Sequence, residues 1–582
     1  MSEERTIPTP ARADIVTFTI LVDGTALPRE ISLLGIHIIR EVNRIPYARV
    51  IVRDGDAAAE DFPVSNEDYF VPGNEIEIKL GYRSDEKTVF KGIIVRHNIS
   101  VKRNRPPRLE IECKDKAFRT TLNRKNKYFH EMKDSDVFDE ILGDYELEKD
   151  LEATSYTHPK LVQYNATDWD FIVTRAEAAG QVVLADDGKI TTKAPATSDD
   201  PVLSLTYGAN IIELEADMDA ERQHAELRSF SWSPANQELS EGEAGDPGID
   251  EPGNLSGEDL SEVGTSDAIN YSHAGERPEE ELIAWSESGM LRNRLSKIIG
   301  RVAFQGFADV RTGSVIEMNG LGERFNGKYY VASVVHEVSA GNWITNVQFG
   351  LSDKWFSESV KSAPPKASGL IPPVNGLHVG IATALQDDPD GEYRVKVKVP
   401  VIDSEDDGIW ARIATLDAGD SRGTFFRPEI GDEVIVGFLN DDPRDAVILG
   451  MVHSSAKPAP LEPSDDNHEK GYVSRGEMKL IFNDEDNIIT VETPNGNKVE
   501  LSESEGGILI EDENGNKIEM TSSGIAMDSP GDLELKATGD VNIEGTNVNI
   551  KANANFKAEG SAGSEVSSSA IMTVKGSLVQ IN

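Results

Sequence analysis

The chain has 582 residues, with 102 acidic against 58 basic side chains and a formal net charge of −44. That excess argues against nucleic-acid binding, which needs Lys and Arg facing phosphate, and against electrostatic docking on an anionic membrane. The length suggests about three or four domains, and 38% hydrophobic residues points to thin cores and elongated or repetitive parts.

Cys113 is the single cysteine, so an intrachain disulfide and zinc sites built on two or four cysteines are excluded; it reads as a small buried hydrophobe. The opening Met1-Ser2-Glu3-Glu4-Arg5 lacks the apolar core of a signal peptide, and no apolar stretch approaches about 18 residues. The expectation is a soluble chain made in the cytoplasm without a leader.

In chain order, residues 15–21 alternate, with Val16, Phe18 and Ile20 on one face and Thr17 and Thr19 on the other. Residues 49–53, 75–82, 89–97 and 108–113 keep the same two-residue period, punctuated by Gly24, Pro72-Gly73 and Pro106-Pro107. Such runs predict a β-barrel or barrel-like sheet. A helix is predicted over 135–142, with Val137, Ile141 and Leu142 on one face and Gly143 as its stop. A second starts at Thr167, an N-cap with Asp170 following; Trp169, Ile172, Val173 and Ala176 fall at helical spacing before Gly180. Strands resume over 181–185 and 188–192.

The segment 236–281 is acidic, rich in Gly, Pro and Ser, and almost free of large apolar residues. It reads as a mobile loop that cannot bury enough surface to offset its ordering entropy. An amphipathic helix is expected over 280–299, then strands over 314–316, 329–336 and 343–350. The proline-rich stretch 357–373, with Ala363-Pro364-Pro365 and Ile371-Pro372-Pro373, reads as a linker. Short strands over 377–385, 393–399, 410–414, 433–439 and 446–451, turned at Asp390-Gly391 and Asp441-Asp442-Pro443, have the rhythm of an OB-fold barrel. The barrel is acidic and shows no exposed aromatic platform, so nucleic acid is not its expected partner.

Beyond a linker at 456–473, apolar pairs recur at two-residue spacing: Ile489/Val491, Val499/Leu501, Ile508/Ile510, Ile518/Met520, Ile525/Met527, Leu533/Leu535, Val541/Ile543 and Val548/Ile550. Asn495-Gly496-Asn497-Lys498-Val499-Glu500-Leu501 is nearly repeated as Asn514-Gly515-Asn516-Lys517-Ile518-Glu519-Met520. Strands with so few inward side chains cannot close a core alone. Either one chain coils into a solenoid, or identical chains wind into a prism. The short length and the lack of a capping helix favour an intertwined homotrimer, in which each turn of the prism takes one strand from each chain.

No constellation marks a catalytic centre. Glu241 with Glu243 and Glu405 with Asp406 read as solvated surface charge, since glycosidase chemistry needs two carboxylates fixed in a cleft. His453 precedes Ser454-Ser455 without a nucleophile elbow, Trp169-Asp170-Phe171 reads as a packing anchor, and no two histidines have metal-ligand spacing. No catalytic, cofactor-binding or metal-ligating residue is expected, and no cofactor. The alternatives are a secreted β-helix enzyme that degrades polysaccharide, and a spike with its own toxin activity.

Arg427-Pro428-Glu429-Ile430-Gly431-Asp432-Glu433-Val434-Ile435-Val436-Gly437-Phe438, followed by Asp442-Pro443 and Ala446-Val447-Ile448-Leu449-Gly450, resembles the barrel signature of VgrG-type spike proteins of contractile injection systems. Asp445-Ala446 departs from it where a proline is common. Gln163-Tyr164-Asn165-Ala166-Thr167-Asp168-Trp169 resembles the start of that family's hub helix. The resemblance spans the chain and implies a mainly β fold. A hub of two barrel-like subdomains would occupy 1–356, a linker 357–373, the OB-fold 374–455, a second linker 456–473, and a triple-stranded intertwined β-helix needle 474–582. It also implies a homotrimeric, non-enzymatic part of a baseplate that adapts the hexameric inner tube to a tip and punctures a target envelope on sheath contraction. Expected partners are the inner tube or a hub adaptor above, baseplate wedge proteins around, a PAAR-like tip protein at the C-terminal end, and a target membrane in transient contact. Some relatives hold iron through a His-x-His tip; the last histidine here, His468, precedes the needle. The expected setting is a phage-tail-like particle related to type VI secretion and released extracellularly.

Overall fold

Alternation of buried and exposed residues organises the chain. In the strands Leu33–Glu41, Tyr47–Arg53, Glu75–Tyr82 and Arg108–Lys114, Ile36, Ile38, Ala48, Val50, Val52, Ile76, Ile78, Leu80, Leu109, Ile111 and Cys113 all point into one core. The structure is a computed structural model describing residues 15–264, 268–360 and 364–581. It divides into two units, Met1–Val374 with Asn440–Asp442, and Asn375–Leu439 with Pro443–Asn582.

The first unit is built on a 13-stranded sheet. Two hydrophobic cores lie on this one continuous sheet. One core gathers Ile38, Val50, Ile78 and Phe90, the other Val302, Phe304, Val334 and Phe349. The strand Gly327–Ser339 is long enough to serve both. It pairs with Asn342–Phe349 and, from Ser333 to Ser339, with Leu33–Glu41.

Arg40, 1% exposed, pins a further layer to this sheet. Its guanidinium donates to the Val89 carbonyl at 2.7 and 3.1 Å, to the Asp187 carboxylate at 2.6 Å, and to Asp186. Asp186 ends the strand Val182–Asp186, and Asp187 begins the turn into Lys189–Lys193. Charge-assisted bonds of this kind offset the desolvation of a buried guanidinium.

The two predicted helices form at Asp134–Leu142 and Asp168–Ala178. The Thr167 side chain accepts from the Asp170 amide as expected for an N-cap. At the other end Gly180, φ +75°, allows the reversal in which Gln181 N–H bonds Ala176 O and Gly180 N–H bonds Glu177 O. Glu177, 3% exposed, gathers three elements at this helix end. It accepts from Asn43 Nδ2 at 2.8 Å, Arg292 Nη1 at 2.9 Å and the Phe356 amide at 2.6 Å.

The segment 236–281 is not the structureless loop expected from its composition, although residues 265–267 lie outside the described residues. Glu238–Ala244 and Ile269–His273 flank Leu227–Ser233 in a three-stranded sheet, and Ser256 caps a short helix. Two of the acidic residues are counterions to buried cations. Asp246 accepts from the Arg294 side chain, which is 0% exposed, at 2.7 Å, and Glu251 accepts from the buried Lys297 at 2.8 Å. The following helix runs Glu279–Leu295 and gives way to the strand Ile298–Gln305, so it ends earlier than predicted. Its buried residues mix apolar Leu282, Met290 and Leu295 with Ser286, Ser288, Gly289 and Arg292. Small residues let it lie close on the neighbouring strand: a side chain on Gly242 would sit 2.4 Å from the Leu282 carbonyl carbon.

His336 is fully buried beside Thr345 Oγ1 at 3.0 Å and Trp343 Nε1 at 3.4 Å. Burial, reinforced by the Arg311 and Arg40 charges, pushes its imidazole from 6.5 down to about 3. The folded chain therefore holds it neutral, while the unfolded chain protonates it below about pH 6.5. Its stabilising contribution is complete above that pH and declines toward pH 3, at on the order of 1.4 kcal/mol per pH unit. Urea unfolding from pH 7 to 4 is expected to show a flatter pH dependence for His336→Gln than for the natural chain. Parallel curves for the two would contradict this.

In the second unit the predicted barrel closes in the order His378–Ala384, Val395–Lys398, Ile409–Ile413, Ala446–Met451, Glu433–Phe438. Ile409–Ile413 and Ala446–Met451 run parallel at the closure. Ala382, Val395, Val397, Ala411, Val434, Val436 and Ile448 fill it. The signature Glu429-Ile430-Gly431-Asp432 is the turn leading into a barrel strand. Gly431 takes φ +87° and its amide bonds Ala382 O, while the Asp432 carboxylate accepts from the Glu429 amide at 2.9 Å.

The expected linker 357–373 carries a short helix, Phe356–Ser359, at its start and a 3₁₀ turn, Lys366–Gly369; its Ala363 lies outside the described residues. The second expected linker, 456–473, ends in a strand, Glu469–Val473, because Lys470 and Tyr472 pair with Phe482 and Leu480.

Candidate functional site

The most unusual surface of the chain is the sheet that begins at Glu469. Seven strands, from Glu469–Val473 to Gly524–Asp528, pair antiparallel in sequence order. Over this stretch the pairing lies within one chain, where one strand from each of several chains was expected. Tight turns make this possible. Gly496 and Gly515, at φ +92° and +86°, sit in the two copies of the Asn-Gly-Asn-Lys repeat, and their amides bond Thr493 O and Asp512 O.

The register sorts the side chains. Ile489 faces Leu501, Val491 faces Val499, Leu501 faces Ile508, Val499 faces Ile510, and Ile510 faces Ile518. All these apolar pairs therefore share one face. The other face carries Lys498 opposite Glu492 and Glu511, with Lys517 opposite Glu511 and Asp528. It is the apolar face that lies open: Phe482 is 41% exposed, Val491 47%, Leu501 45% and Ile510 42%. After Asp528 no strand forms among the described residues, and Leu533, Leu535, Val541, Ile543, Val548 and Ile550 are all more than half exposed. A contiguous apolar surface of this length on a single chain is the mark of an assembly face.

The carboxylates considered for catalysis do not converge. Glu241 and Glu243 are exposed on Glu238–Ala244, with Glu241 at 3.7 Å from Arg228. Asp403 caps the turn bearing Glu405 and Asp406, accepting from both amides. Ser454 lies in a turn paired with Lys457, and His453 is exposed. Trp169 is 3% exposed in the helical core, as an anchor would be. Cys113 is fully buried and burial pushes its thiol well up. Among the described residues no group of His, Cys, Asp and Glu is placed to hold a metal, and no helix is long and apolar enough to cross a membrane.

Residues 12–340, more than half of the chain, match the family model of the Alg8 N-terminal domain. The chain belongs to this family. Residues 378–453 match the type VI secretion system/phage-baseplate injector OB domain, and 488–556 the phage baseplate V C-terminal trimerisation domain. The first covers the closed barrel and the second begins at the strand Ile488–Glu492 of the open apolar sheet. The type VI secretion system spike protein VgrG3 of Vibrio cholerae is 36% identical over 92 residues, 15% of this chain and 9% of that protein. VgrG1a of Pseudomonas aeruginosa is 35% identical over 72 residues, 12% of this chain and 11% of that protein. The aligned stretches thus span about a tenth of each relative's length. A 43 kDa tail protein of prophage MuSo2 from Shewanella oneidensis is similar at TM-score 0.45 and 10% identity, over 58% of this chain and 99% of that one.

The chain is mainly β, carries a baseplate OB domain and a baseplate trimerisation domain, and over short stretches is similar to VgrG-type spike proteins of type VI secretion. The barrel signature and the recurring apolar pairs already pointed to these two domains from sequence. Two features escaped that reading: the antiparallel pairing within the chain, and the charged network that orders 236–281. The Asn-Gly turns at 495 and 514 were the available signal for the first.

Proposed function

We propose that the chain is a VgrG-type spike, the homotrimeric hub and needle of a contractile, phage-tail-like particle released from the cell. In that role it joins the hexameric inner tube to a tip and pierces the target envelope when the sheath contracts. The observation that carries the reading is the open apolar face of the 469–528 sheet, continued by exposed apolar pairs to Ile550. Three copies laid face to face would remove these surfaces from water and stiffen the shaft. The 1–356 portion would form the hub, ringed by baseplate wedge proteins and docked to the tube or a hub adaptor. The OB barrel would form a collar, and a separate PAAR-like protein would cap the needle. The spike would act mechanically, without catalysis.

Light scattering of the purified full-length protein at micromolar concentration is expected to give three times the chain mass. Particles purified from a producing strain should carry the spike inside the baseplate, and deletion of its gene should leave sheath and tube unassembled. A well-folded solitary chain would overturn the proposal.

A further inference from the structure

The strand Thr157–Thr167 pairs with Arg124–Lys133 in a two-stranded sheet, so among the described residues its second edge has no strand beside it. Three consecutive residues of it, Lys160, Leu161 and Val162, line a groove of about 530 Å³. Successive side chains of a strand point to opposite faces. Three in a row line one cavity only where the strand turns its backbone edge toward it. The rest of the groove comes from the helices Asp168–Ala178 and Glu279–Leu295 and from His273, at the end of Ile269–His273. A free edge bordering a groove can accept an added strand through its unpaired amides and carbonyls.

The lining combines an apolar floor with cations. Phe171, Leu282 and Trp285 supply the apolar surface. Arg175 is committed to Asp134, at 2.8 and 3.0 Å. Arg277 has no close carboxylate: its guanidinium donates to the Glu276 carbonyl at 2.7 Å and lies 3.1 Å from His273 Nε2, with the Glu281 carboxylate 3.9 Å away. Lys160 is exposed and has no ion-pair partner among the described residues. Glu281 is the one acidic residue of the lining. In a chain of net charge −44, Lys160 and Arg277 thus lie beside an apolar floor and an open strand edge without a close carboxylate partner.

We propose that this groove docks an extended acidic segment of another protein. The segment adds as a strand to the free edge of Thr157–Thr167, seats an apolar side chain against Phe171 and Trp285, and places carboxylates at Lys160 and Arg277. This binding role is independent of the piercing role above and does not require it.

A display library of random ten-residue peptides, selected against the full-length protein, tests the proposal. Enriched peptides are expected to alternate apolar and acidic residues. In fluorescence anisotropy their affinity should fall at least tenfold against the K160E/R277E variant, and at least tenfold when alternate peptide amides are N-methylated. If that variant loses its fold, K160E alone, on an exposed side chain, gives the same readout. Enrichment without acidic residues, affinity indifferent to these substitutions, or no enrichment because a second copy of the chain covers the groove would each overturn it.

Discussion

Replacing both Ile508 and Ile510 with Asp is expected to convert the purified protein from trimer to monomer while leaving each chain folded. Both residues lie on the open face of the 469–528 sheet, at 37% and 42% exposure, so the single chain tolerates charge there. In a trimer the same positions become core. Each buried Ile contributes roughly 1.5–3 kcal/mol, and an unpaired carboxylate in its place adds a penalty of several more. Over three chains the loss exceeds on the order of 10 kcal/mol, a large part of what a non-covalent assembly can hold. Glu519→Gln, which lies on the opposite, charged face, should leave the trimer intact. Sedimentation velocity distinguishes these outcomes. A trimer that survives both aspartates would show that some other surface holds the copies together.

The second large effect is expected at Glu177. Glu177→Ala leaves Arg292 Nη1, Asn43 Nδ2 and the Phe356 amide without their shared acceptor inside the first unit. Arg292 keeps its bonds to the Ser352 and Lys354 carbonyls but loses its counter-charge. Removing one partner of a buried pair costs about 3–5 kcal/mol. Glu177→Gln preserves an acceptor and should cost less. Trp355, whose ring lies 5.3 Å from the Arg292 guanidinium, is a local fluorescence reporter for urea unfolding. Equal midpoints for Glu177→Ala and the natural chain would show that the knot contributes little.

Period-two alternation made several of the first unit's strands and all five barrel strands legible, because each exposes one face and buries the other. The strand Leu33–Glu41 escaped that reading because Ile38 and Ile39 are adjacent and a charged residue, Arg40, occupies an inward position. The capped helix Asp168–Ala178 was legible because its signals are local: Thr167, Asp170 and Gly180 act within one turn of the helix ends. The segment 236–281 was misread because its composition carries no trace of Arg294 and Lys297, which are distant in sequence and order it through Asp246 and Glu251.

By itself the sequence determined the mainly β class, the closed barrel and its turn signature, and the repeat whose apolar face one chain leaves uncovered. All of these rest on spacing or on turns spanning a few residues. Tertiary structure alone decided that two hydrophobic cores share one sheet, that the repeat folds back on its own chain, and that Glu177 and Arg292 meet. The same holds for the groove beside Thr157–Thr167, which draws on residues from His158 to Trp285. Contacts of that kind depend on which elements the folded backbone brings together, and no local pattern of side chains records that.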